Sequence, residues 1–83
     1  MAKLWRLSAV QLTSGPDPLL NLAKVDSLLA QLPKASQHLA VLPEGVAVFA
    51  GPDGLNLQLA EALGSGPLQS AYAELAKKHQ LYL

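Results

Sequence analysis

Between Lys3 and Leu12 (KLWRLSAVQL) apolar side chains occupy both alternating sets of positions, with Leu4, Val10 and Leu12 in one set and Trp5, Leu7 and Ala9 in the other. A strand with that pattern suits cover on both of its faces. Thr13 to Pro18 (TSGPDP) is a turn cluster. It ends with Asp17 placed to cap a helix and Pro18 at the first helical position, where a missing N–H costs little. The helix carries Leu22, Val25, Leu28, Leu29 and Leu32 at three- and four-residue spacing. Asn21, Lys24, Asp26 and Gln31 fall largely on the other side, and Pro33 stops it.

Leu39 to Leu42 reads as a short buried strand, because Pro43 pushes the residue before it to extended geometry and cannot donate to a ladder. Gly45 to Gly54 (GVAVFAGPDG) is a loop. Leu55 to Leu63 (LNLQLAEAL) fits a period of two as well as a helical spacing at Leu55, Leu59 and Leu63, and is read as a short helix. Gly64-Ser65-Gly66-Pro67 is a second loop-to-helix junction. The helix after it presents Leu68, Ala71, Tyr72, Leu75 and His79 on one face, with Lys77 and Lys78 near its negative end. Gln80 to Leu83 then begins another strand.

The order strand, helix, strand, helix, strand is the signature of βαβ units on a parallel sheet, an α/β fold. Right-handed crossovers progressing in one direction put both helices on the same side of the sheet. The opposite face therefore needs a cover that these residues do not provide. The last residues, Leu81-Tyr82-Leu83, are an apolar strand that a hydrogen-bonded core would continue, so Leu83 is expected to be a truncation point.

Composition narrows the functional classes. With 83 residues the chain makes one small domain with a thin stability margin. It is 51% hydrophobic and 14% charged, with six basic and six acidic residues, which fits neither a disordered segment nor a nucleic-acid binder. The first twelve residues are interrupted by Arg6, Ser8 and Gln11 and lead into no cleavage pattern, and no later run is long enough for a bilayer. A soluble, cytoplasmic chain without nucleic-acid or membrane partners is expected. It has no cysteine, hence no disulfide, no thiolate metal site and no thiol nucleophile.

Glu44 is the residue to which chemistry attaches. It follows the apolar run and Pro43, at the carboxyl end of a predicted parallel strand, where ligands of open α/β sheets collect. A carboxyl emerging from a buried strand is poorly solvated and its pKa tends to rise towards that of a useful general base, whereas a solvated loop glutamate has no such role. Several other residues carry less. His38 and His79 have no second ligand at metal spacing, so a surface or boundary place is expected and neither metal nor cofactor is predicted. Gly64-Ser65-Gly66 could bind an anion, yet without a phosphate-loop lysine it is ordinary capping chemistry. Trp5 and Tyr72 are expected in the core, and Phe49, near Glu44, is a better pocket candidate.

Four stretches, in this order, resemble the amino-terminal part of the nitrilase superfamily of carbon–nitrogen hydrolases, and within it bacterial amidases similar to deaminated glutathione amidase. They are Ser8-Ala9-Val10-Gln11-Leu12-Thr13-Ser14, Asn21-Leu22-Ala23-Lys24, Leu39-Ala40-Val41-Leu42-Pro43-Glu44, and Gly66-Pro67-Leu68-Gln69 through Tyr82-Leu83. The resemblance implies an incomplete portion of an α-β-β-α sandwich spanning residues 1–83, a small amide as substrate, no cofactor and association of copies. It also implies that Glu44 is the general base of a Glu, Lys and Cys site. The Lys and Cys of that site match no residue here, and Lys77 and Lys78 fit no catalytic motif. The chain alone is therefore expected to be inactive. The alternative is a non-catalytic α/β module that associates through the uncovered apolar face of its sheet.

Overall fold

The computed structural model describes residues 4–49, 51, 54–55, 59–62 and 64–83. Along the chain run strand β1 (Arg6–Ala9), helix α1 (Pro18–Ala30), strand β2 (His38–Val41) and helix α2 (Pro67–His79). β1 and β2 pair in parallel with Arg6 opposite His38 and Ala9 opposite Val41. The ladder is closed at its ends by Arg6 N–H to Gln37 O at 2.8 Å and Val10 N–H to Val41 O at 2.9 Å. β1 is shorter than the run from Lys3 to Leu12 because its partner is short: Pro43 has no N–H with which to prolong the pairing. On the far side of β2 the chain returns at Tyr82, which bridges Leu39 in parallel, with Tyr82 N–H to His38 O at 2.7 Å and Ala40 N–H to Tyr82 O at 2.8 Å. Of the strand expected from Gln80 to Leu83, the structure shows this one isolated bridge beside a two-stranded sheet.

α1 starts as its sequence dictates. Asp17 Oδ1 accepts from Leu19 N–H at 3.0 Å, and Pro18 takes the first position. The stripe Leu22, Val25, Leu28, Leu29, Leu32 turns inward, and Val25 and Leu29 form the centre of the core with Val10, Ala40 and Leu75. α2 opens at Pro67 and ends on Gln80, whose φ of 55° is left-handed. Leu81 N–H then closes back on Ala76 O at 3.0 Å, a Schellman-type stop made without glycine. α1 and α2 touch each other on one side of the sheet, tied where Asp26 meets Lys78 and His79.

Among the described residues, cover for the sheet lies on one face only. Facing the helices, His38 is 3% and Ala40 1% exposed; on the other face Leu7 is 70% and Val41 50% exposed. Trp5, expected in a two-sided core, lies on this outer face and packs its ring against Tyr82 with centroids 5.4 Å apart. Of the short helix read over Leu55 to Leu63, positions 56–58 and 63 lie outside the described residues; Leu59 N–H donates to Leu55 O at 3.0 Å. No helix among the described residues is long and apolar enough to cross a membrane.

Candidate functional site

The site forms where the carboxyl ends of β1 and β2 release their loops. Asn21, set by α1 directly beneath these loops, is fully buried and ties them together. Its Nδ2 donates to Gly15 O at 2.7 Å and Ala47 O at 2.9 Å, while its Oδ1 accepts from Gly15 N–H at 2.9 Å. Two more bonds close the seam, Ser14 Oγ to Val46 O at 2.7 Å and Phe49 N–H to Gly15 O at 2.9 Å. Buried carbonyls and amides that would otherwise be orphaned are paired by one amide side chain. This corrects the placement of Asn21 on the polar side of α1. Its spacing of four from Val25 puts it on the inward line, and only its polarity argued otherwise.

A cleft of about 270 Å³ opens on that seam, walled by Thr13 and Ser14 from the first loop and by Pro43, Glu44, Gly45 and Phe49 from the second. Glu44 stands on its rim and is exposed, so the poor solvation expected of an acid leaving a buried strand is absent here. Gly45 has φ +69°, and a Cβ there would approach Phe49 Cδ2 to 3.0 Å; the turn that presents Glu44 and folds Phe49 over the cleft needs glycine. Lys24, from α1, donates to the backbone O of the wall residue Thr13 at 3.1 Å and itself lies outside the cleft's lining. The ion pair among the described residues lies elsewhere, between Asp26 and Lys78, with His79 hydrogen-bonded to the same carboxylate.

The other candidates resolve into structure. His38 is buried rather than at a surface or boundary, and its Nε2 is 2.7 Å from Ser8 Oγ on the helix-covered face, away from the walls of the cleft. His79 pairs with Asp26, Nε2 to Oδ1 at 2.7 Å, and because an ionised carboxylate only accepts, Nε2 carries the proton. These bonds, His79 first and then Lys78, hold the Asp26 carboxyl below its ordinary range. At the start of α2 the anion place is filled from within the chain: Glu61 accepts from Leu68 N–H at 2.7 Å and Gln69 N–H at 3.0 Å. The bond from Gln69, then that from Leu68, lowers the Glu61 carboxyl, as helix-end amides do for an acid. A side chain on Gly66 would overlap that carboxylate.

Tyr72 packs against the core as expected, yet its hydroxyl is buried without a hydrogen-bond partner among the described residues, and burial pushes the phenol up. It borders an apolar cavity of about 400 Å³ beneath Val46 and Ala47, the under-surface of the loop that carries Glu44. Among the described residues no group of three or more His, Asp or Glu side chains gathers as a metal site requires. Comparison with protein-family models, with curated proteins and with solved structures found no match to this chain.

Proposed function

We propose that Glu44 is the general base of a carbon–nitrogen hydrolase site acting on small amides, and that residues 1–83 are the amino-terminal portion of its catalytic domain. The observation that carries this reading is the position of Glu44: a carboxylate on an open cleft, at the carboxyl ends of parallel strands, on a loop pinned by buried Asn21. In the reaction the carboxylate takes the proton of a thiol, and the thiolate forms a bond to the amide carbon. The protonated base returns that proton to the departing amine, and water, deprotonated by the same carboxylate, releases the acyl group. An ammonium beside the tetrahedral oxyanion completes the site.

Since the chain holds no cysteine, this reading takes the thiol from outside these residues, and the resemblance implies the same for the ammonium. The nucleotide sequence after the codon for Leu83 tests this. A continuing frame that supplies a lysine and a cysteine, and whose product co-expressed with this chain hydrolyses an amide, supports it. In that assembly Glu44→Gln is expected to lower kcat by about 10²–10⁴-fold. An unchanged rate in Glu44→Gln, or a frame without cysteine, contradicts it.

A further inference from the structure

Asn21 joins the two loops that wall the Glu44 cleft, with three hydrogen bonds from one side-chain amide. We propose that Asn21 is a positioning residue for Glu44, holding the proposed base at a set distance from the facing wall of the cleft, Thr13 and Ser14. This role rests on the reading of Glu44 as the base.

The amide stands on a fixed support. Asn21 lies in the first turns of α1, its own N–H on Asp17 O at 3.1 Å, and it is fully buried one turn before Val25 at the centre of the core. From there it bonds Gly15 through both N–H and C=O, which fixes the first loop just after Thr13 and Ser14. The same Nδ2 fixes the second loop at Ala47. Gly15 O also accepts from Phe49 N–H, so the two loops meet at one atom. The stretch from Glu44 to Ala47 spans at most about 10 Å when fully extended, and its turn at Gly45 makes it shorter still. Glu44 cannot stray far from its anchor.

The bonding pattern demands an amide. An aspartate would accept from Gly15 N–H and leave both carbonyls without a donor, and a leucine would orphan all three groups. A general base works only within about 2.6–3.2 Å of the proton it takes, and a misplacement of about 1 Å can cost about 10²-fold in rate. Asn21 is not among the residues lining the cleft, so it acts on the reaction through the loops alone.

Kinetics of the co-expressed assembly test this role, on the amide it hydrolyses. Asn21→Ala is expected to lower kcat by about 10–100-fold and to move KM by less than about threefold. In the Glu44→Gln background the same substitution should lower kcat by less than about twofold more, because the group it positions is gone. Leu32→Ala, which thins the core past the far end of α1, should leave kcat per folded molecule unchanged. In the purified 83-residue chain, backbone order parameters at Glu44 and Gly45 should fall from about 0.85 towards 0.6 in Asn21→Ala and stay high in Leu32→Ala. Asn21→Ser, smaller and with one donor left, replaces Asn21→Ala if that variant does not fold, with kcat expected to fall about tenfold. If Glu44→Gln is slowed while Asn21→Ala keeps its kcat, or keeps the order at Glu44, the positioning role alone is overturned. Losses that multiply in the double variant overturn it as well, since they report a general loss of structure. An unchanged rate in Glu44→Gln overturns the reading of Glu44 and this role with it.

Discussion

The two faces of one short sheet are built from alternate residues of the same strands and meet opposite fates. Along β2, His38 and Ala40 are sealed under α1 and α2 while Leu39 and Val41, the more apolar pair, face outward. Apolarity alone does not decide burial; the connections do. Both crossovers pass on one side, so the polar His38 is enclosed and satisfied by Ser8 while leucine is left bare. What holds this chain together is therefore a single layer of contacts between helices and sheet, and a small domain with one such layer is sensitive to any loss from it.

The contrast breaks most sharply under equal truncations on the two faces. Leu29→Ala, at the centre of the covered side, is expected to cost about 2–5 kcal/mol, a large part of the margin of a chain this small. Leu39→Ala, measured by denaturant unfolding at a concentration where the monomer prevails, is expected to cost under about 1 kcal/mol. Equal costs would show that the faces are not distinguished as described.

Asn21 comes next. Asn21→Ala strips three hydrogen bonds from the two loops and is expected to cost about 1–3 kcal/mol, with the loops loosening in amide exchange before the strands do. Asn21→Asp sets a carboxylate against Gly15 O and Ala47 O. Its penalty should be largest at neutral pH and should shrink in acid, where the protonated acid can donate to one of them.

The acid limb of stability is a finer probe. Asp26 and Glu61 are both held below their ordinary range in the folded chain, so the native state binds fewer protons than the unfolded one as those groups titrate. Their contribution is complete above the ordinary carboxyl range and is lost as pH falls through the lowered native values. Asp26→Asn should flatten that limb and cost about 0.5 kcal/mol at neutral pH, the scale of a solvent-accessible pair. Glu61→Gln should flatten it too. Smallest is a gain: Gln80→Gly relieves the left-handed cap of α2 and is expected to raise stability by about 0.5–1 kcal/mol.

Much of this was legible in the sequence where one physical rule governs one residue. Asp17 and Pro18 open α1, Pro33 follows its end, Pro67 opens α2, and Tyr82 returns to bridge β2. The bare outer face followed from crossover handedness. Where two rules competed, polarity misled: Asn21 and His38 are polar, yet their spacing placed them inside, and long-range partners at Ala47 and Ser8 made burial tolerable. Such partners are 26 and 30 residues away and leave no local pattern. Glu61 is a third case, a helix cap that sits six residues ahead of Pro67 instead of at the capping position itself. For Glu44 the sequence located the carboxylate correctly at a strand end, whereas its exposure depends on how the two loops open.

That exposed carboxylate, in a chain without cysteine, defines the central claim of the proposed function: residues 1–83 carry its base and lack its thiol. Amide hydrolysis by the purified 83-residue chain, wild type beside Glu44→Gln, measures it directly. The two are predicted to be indistinguishable and at the background of buffer. A wild-type rate above background that falls in Glu44→Gln would contradict the claim.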